Sequence, residues 1–135
     1  MAYLEWKEVC SVCVKDLDDQ HKILFALIND YSEAVTRQMT GESTKYILKG
    51  LADFARTHFS NEESLMQRHY YPGYTTQKAQ HNRFIAMINA YLRRAEEGSP
   101  TPPGEIKEFL KYWTVKHILA EDRQYGPFLN AQGVN

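Results

Sequence analysis

The placement of Gly and Pro constrains this chain most, because these residues gather between segments instead of spreading along them. Gly41 lies in Met-Thr-Gly-Glu-Ser-Thr, Pro72-Gly73 in Tyr-Tyr-Pro-Gly-Tyr, and Gly98-Ser-Pro-Thr-Pro-Pro-Gly104 is the densest loop signal. Gly126-Pro127 reads as the end of the last segment. Pro removes a backbone donor and clashes with the preceding turn, and Gly weakens a helix, so such clusters end helices. They divide the chain into an N-terminal arm (1–17) and four stretches at roughly 18–38, 43–70, 74–97 and 104–125.

Each stretch repeats apolar residues at i, i+3, i+4 and i+7, which gathers them on one face of an α-helix. The first carries Leu17, Leu24, Phe25, Ile28 and Val35; the second Ile47, Leu51, Phe54, Leu65 and Met66. The third carries Phe84, Ile85, Ile88 and Leu92, and the fourth Ile106, Leu110 and Trp113. Lys, Arg, Glu and Gln fill the outward positions, and no stretch alternates with period two. The pattern predicts an all-α fold, an antiparallel up-down-up-down four-helix bundle preceded by an arm. At 135 residues the chain reads as one domain, 1–135, long enough to bury about two thirds of its unfolded surface.

Composition narrows the function classes. With 16 Lys and Arg against 17 Asp and Glu, the net charge of −1 lacks the basic excess that displaces counterions from nucleic-acid phosphates. Two Cys cannot supply a disulfide framework, and Cys10-Ser-Val-Cys13 lacks the βαβ context of a redox motif, so both read as incidental thiols. No apolar run reaches the ~18 residues of a membrane span. The N-terminus lacks a basic-then-apolar leader. A monomeric cytoplasmic protein with no nucleic-acid or membrane partner is expected.

Polar residues interrupt the apolar stripes at core level. In the second stretch His58 and Glu62 stand at i, i+4, on one face and about 6 Å apart at ~1.5 Å per residue. Gln77 and His81 repeat that spacing in the third, and the line continues into Phe84 and Ile88. His117 follows Leu110 and Trp113 in the fourth, and His21 is in register with Leu17, Leu24 and Ile28 in the first. One imidazole per helix points inward, and a small core cannot easily satisfy four imidazoles and a carboxylate. A metal satisfies them together. Imidazole with carboxylate suits Fe, Mn, Zn or Cu, and bridging carboxylates in a bundle suit a dinuclear iron or manganese centre. The acid of the last stretch stays open: Glu121, at i+4 from His117, shares its face, whereas Asp122 reaches inward only if the helix loosens, as at a π-bulge. His69 reads as a surface residue near a helix end. Tyr70, Tyr71, Tyr74, Tyr112 and Tyr125 read as packing at the bundle ends.

Trp6, Asp-Asp-Gln-His at 18–21, His-Phe-Ser-Asn-Glu-Glu-Ser-Leu-Met at 58–66, Tyr-Pro-Gly-Tyr at 71–74, Lys-Ala-Gln-His at 78–81 and Trp-Thr-Val-Lys-His-Ile-Leu-Ala-Glu-Asp at 113–122 together resemble the hemerythrin family in its stand-alone bacterial form. The resemblance covers nearly the whole chain. It implies a bundle holding two Fe ions joined by an oxo or hydroxo group and two carboxylates, with O2 as the ligand. It assigns His21 and His58 to the iron with the open position, His81 and His117 to the other, and Glu62 and Asp122 to the bridges. It thus selects Asp122 over Glu121.

Two positions depart from the family pattern. The third helix reads Gln77-x-x-x-His81 where the family has His-x-x-x-His. An amide oxygen ligates a hard cation more weakly than imidazole does, so Gln77 either binds through oxygen, holds a water, or stands outside the metal sphere. Thr114 takes the place of the bulky aliphatic residue that shields bound O2, and Trp113 and Thr114 are expected to line that pocket. The expectation is an O2-binding di-iron protein for storage, delivery or sensing, with less reversible binding than a dedicated carrier. The alternative is a di-iron enzyme, an oxidase, peroxidase or nitric-oxide-processing protein, that uses the position opened by Gln77. A signalling role would need a separate protein partner.

Overall fold

A computed structural model describes residues 2–135. A short 3-10 turn, Glu8–Cys10, precedes α1 (Lys15–Thr36), α2 (Gly41–Arg68), α3 (Tyr74–Glu96) and α4 (Pro103–His117). A π turn, Ile118–Asp122, then leads into α5 (Arg123–Ala131). No strand occurs among the described residues, and the long helices form the antiparallel four-helix bundle. None of these helices is long and apolar enough to cross a membrane.

The helix ends follow from the loop residues. The Thr40 hydroxyl accepts a hydrogen bond from the Ser43 amide at 3.2 Å and caps α2. Gly98, at φ +83, lets the chain turn out of α3 while the Ser99 amide reaches the Arg94 carbonyl at 3.0 Å. Pro103 then opens α4, where a missing backbone donor costs nothing.

Two boundaries differ from expectation. α1 begins at Lys15, inside the stretch assigned to the arm. More consequentially, Gly126-Pro127 does not end the last segment, which continues through α5 to Ala131. Pro127 lies one turn into a ladder that restarts after the π turn, so it removes a single helical hydrogen bond. Gly126 has a packing reason. A Cβ there would stand 2.2 Å from the Val12 backbone oxygen, so only Gly lets the arm lie against α5.

The arm is therefore fitted to the bundle. Leu4 exchanges two 2.8 Å hydrogen bonds with the Asn29 amide, and Trp6 packs edge-on against Phe25. The Asp18 carboxylate accepts from the Ser11 hydroxyl at 2.6 Å and the Val12 amide at 2.8 Å. Cys10 is buried and Cys13 exposed, both as free thiols.

The core falls into two apolar clusters. Leu24, Phe25, Ile28, Leu51, Ala55, Phe59, Phe84, Ile88 and Leu110 belong to the larger. Val12, Val14, Leu17, Met66, Tyr125 and Leu129 form a smaller one beneath the arm. Along every long helix, the inward histidine stands between a residue of one cluster and the part of the chain that leads to the other.

Candidate metal centre

Between the two clusters lies a polar layer. His21, His58, Glu62, Gln77, His81, Thr114, His117 and Asp122 are each 4% exposed or less. α1 supplies His21, α2 His58 and Glu62, α3 Gln77 and His81, and α4 Thr114 and His117. Asp122 comes from the π turn. That turn widens the helix by one residue and swings Asp122 inward, fully buried, while Glu121 stays half-buried.

Glu62 and Asp122 each reach more than one imidazole. Glu62 Oε2 lies 3.1 Å from His21 Nε2, and Glu62 Oε1 lies 3.3 Å from both His58 Nε2 and His81 Nε2. Asp122 Oδ2 is 3.2 Å from His21 Nε2, and Oδ1 is 3.0 Å from His117 Nε2. The Nε2 atoms of His81 and His117 approach to 3.1 Å. Two donor groups result, Glu62–His81–His117–Asp122 and His21–His58–Glu62, each with ligand atoms within 4.8 Å of one another. Glu62 belongs to both.

The other ring nitrogen of three histidines is held from outside. His58 Nδ1 donates to Gln20 Oε1 at 2.7 Å, His81 Nδ1 to Glu63 Oε2 at 2.8 Å, and His117 Nδ1 to Gln80 Oε1 at 2.6 Å. An oxygen acceptor requires the proton on Nδ1, which leaves the Nε2 lone pair facing the layer. Gln20, Glu63 and Gln80 are each the chain neighbour of a layer residue, yet each serves the imidazole of the next helix. Adjacency was the available signal, but the cross-helix pairing was not readable. Lys78 Nζ in turn donates to Glu63 at 3.0 Å.

Tyr125 was also missed. It is no end-packing residue: fully buried below the layer, its hydroxyl donates a short hydrogen bond to Glu62 Oε2. Tyr70 and Tyr112, by contrast, are exposed.

The electrostatics of the layer pair two carboxylates with imidazoles. Burial would lower the His21 imidazole, but the hydrogen bonds it donates to the Asp122 and Glu62 carboxylates outweigh it and hold it up at about 10. His81 is also raised, with Glu62 and Glu63 overcoming burial. Burial would raise the Glu62 carboxyl, yet His58, His21 and His81 keep it well below its usual range. Burial and the Glu62 charge push Asp122 up, but His117 and His21 bring it down to about 2. Burial, then Glu62 and Asp122, push the Tyr125 phenol well above its ordinary value. Two ionised carboxylates thus sit in the core, and among the described residues neither pairs with a Lys or Arg.

Among the described residues, the buried atoms His21 Nδ1, Gln77 Oε1 and Thr114 Oγ1 have no hydrogen-bond partner, and Glu62 Oε1 has only its 3.3 Å approaches to His58 and His81. Gln77 donates from Nε2 to Asp122 Oδ1 at 2.9 Å, so its amide is fixed while its oxygen is free. Aromatic rings close the flanks: Phe59 stacks on His81 at 3.9 Å and Trp113 on His117 at 4.5 Å. Imidazole and carboxylate donors, orphaned oxygens and two buried carboxylates offset only by imidazoles together fit a pair of borderline-hard cations such as iron. His69 lies outside the layer, as the C-cap of α2.

The family model described as the hemerythrin HHE cation binding domain matches residues 13–129. Bacteriohemerythrin from Methylococcus capsulatus is 30% identical over 114 residues, 84% of this chain and 86% of that protein. Myohemerythrin-1 from Phascolopsis gouldii is 32% identical over 120 residues, 89% of each chain. A crystal structure of wild-type hemerythrin superposes with a TM-score of 0.86 at 27% identity, covering 93% of this chain and 97% of that one.

Proposed function

This chain belongs to the hemerythrin family, and from that premise we propose that it is a non-heme di-iron protein that binds O2, its second iron position altered by Gln77. The observation that carries the proposal is the buried layer, in which Nε2 atoms from four helices converge on two shared carboxylates. The hemerythrin domain binds a di-iron centre, which when bound supplies the electrons and the open coordination position that O2 binding needs.

In this reading His21 and His58 hold one iron and His81 and His117 the other, with Glu62 and Asp122 shared between them. The oxygens of Asp122, one toward His21 and one toward His117, support the shared role. Glu62 supports it by facing His21 through one oxygen and His58 and His81 through the other. Tyr125 holds the Glu62 carboxylate in place through a proton that its raised pKa keeps on the phenol. Gln20, Glu63 and Gln80 orient three imidazoles. Phe59 and Trp113 keep water from the ring faces.

Gln77 and Thr114 set this chain apart. Each keeps a buried oxygen without a partner, so the Gln77 carbonyl can accept from a water and the Thr114 hydroxyl can donate to a water or a bound diatomic molecule. Trp113 and Thr114 line the O2 pocket in this proposal. A wetter pocket and a weaker amide ligand favour faster loss of bound O2 by oxidation of the centre. The same two oxygens favour the second reading, a di-iron oxidase, peroxidase or nitric-oxide-processing enzyme. A monomer in the cytoplasm belongs to the proposal, and size-exclusion chromatography checks the monomer.

The deciding comparison is wild type against Gln77→His. Two irons per chain and a charge-transfer band that appears with O2 and leaves under vacuum are expected of both. A longer-lived oxygenated form is expected of the variant. One iron per chain, or zinc, would remove both readings, and equal lifetimes would make Gln77 inert. Peroxide turnover by wild type alone would favour the enzyme.

A further inference from the structure

A cavity of about 450 Å³ opens at the end of the bundle where the α1–α2 and α3–α4 loops meet. On α1 it begins at Tyr31, ten residues and about 15 Å from His21 at ~1.5 Å per residue, so it lies well clear of the polar layer. Leu48, Leu92 and Ile106 make its walls mainly apolar, and Pro100, Pro102 and Pro103 form one rim. Proline fixes the backbone angle φ, so that rim keeps its shape without a ligand.

Tyr31 and Tyr91 also line the cavity, and they are 3% and 4% exposed. Neither hydroxyl is among the sealed, partnerless atoms that mark the metal layer. Burial and the neighbouring Tyr91 raise Tyr31 to about 12, so it remains a donor at any physiological pH. Two protonated phenols thus line a mainly apolar space of ordinary ligand size, and the Glu105 carboxylate beside Tyr91 adds negative charge at that edge. The rim cation is already engaged: Lys45 lies 3.4 Å from Glu96 and 4.0 Å from Glu42. The cavity therefore favours a neutral acceptor over an anion.

We propose that this cavity is a second ligand site, which takes a neutral, mainly apolar molecule whose carbonyl oxygen accepts hydrogen bonds from Tyr31 and Tyr91. The site stands apart from the iron reading and survives its failure.

Benzophenone and diphenylmethane, alike in shape but differing in the carbonyl, are the probes. Each is titrated into the nitrogen-15-labelled protein as isolated and followed by amide shifts. Saturable shifts confined to residues around Leu48, Leu92 and Ala95 are expected with benzophenone, and an affinity about three- to tenfold weaker with diphenylmethane. The Tyr31→Phe/Tyr91→Phe double variant keeps both rings and is expected to lose that discrimination, with its spectrum otherwise unchanged. Absence of saturable shifts, shifts centred elsewhere, or equal binding of the two probes to wild type would overturn the proposal. So would discrimination that survives in the double variant.

Discussion

Replacing Gly126 by Ala sets two physical effects against each other. Gly126 lies within α5, and Ala in a helix interior is favoured over Gly by about 0.5–1 kcal/mol, so local propensity predicts a more stable protein. The packing predicts the reverse. The new Cβ would stand 2.2 Å from the Val12 carbonyl oxygen and 3.1 Å from its carbon, and these are backbone atoms that cannot rotate away. The arm must lift. Val12 and Val14, each 2% exposed, are then uncovered, and losing the burial of each side chain costs about 1.5–3 kcal/mol. Full displacement thus costs about 3–6 kcal/mol, and after the helix gain a net loss of about 2–5 kcal/mol remains. Urea denaturation followed by circular dichroism measures the difference. Cysteine labelling locates it: Cys13 is exposed and reacts in both proteins, whereas Cys10 is 6% exposed and becomes reactive only when the arm lifts. A variant more stable by about 0.5–1 kcal/mol, with Cys10 still protected, would refute the packing account.

Three further outcomes are expected. Tyr125→Phe removes the hydroxyl that donates to the buried Glu62 carboxylate, and hydrogen bonds to charged groups contribute about 1.5–3 kcal/mol, so chemical denaturation should show a loss of that size. Glu63→Ala removes the acceptor that orients His81, and metal affinity measured by competition with a chelator should fall about 10–100-fold with the fold retained. The Tyr31 phenol titrates near 12 in the folded protein against 10.0 ordinarily, so the native state holds its proton more tightly. Its stabilising contribution is complete below pH 10 and lost as pH rises toward 12, and Tyr31→Phe should flatten that part of the alkaline unfolding curve.

The four long helices were legible because Gly and Pro mark their ends and the stripes between have a single period. The polar layer was legible for a related reason. An inward histidine breaks an apolar stripe, and stripes are read within one helix. Asp122 needed more, since simple helical geometry favours Glu121 and the choice rested on a resemblance, with the π turn as its physical means. Gln20, Glu63, Gln80 and Tyr125 escaped because their partners lie on other helices, at sequence separations of 18 to 63 residues. Gly126-Pro127 misled in an instructive way. A glycine that looks like punctuation in one dimension is here the clearance that lets the arm lie against the last helix.

The polar layer has a mechanical meaning beyond ligand supply. It separates the larger apolar cluster from the smaller one under the arm, so the two halves of the core do not fuse into one continuous interior. Without a cation the halves communicate through helix backbones and a set of buried ion pairs, which contribute little net stability once their desolvation is counted. A metal shared by Glu62 and Asp122 would act as a keystone, tying α5 and the small cluster it forms with Val12 and Val14 to the body of the bundle. Loading would then complete the fold as well as the site, and the smaller cluster would be the first part of the protein to come apart when the metal leaves.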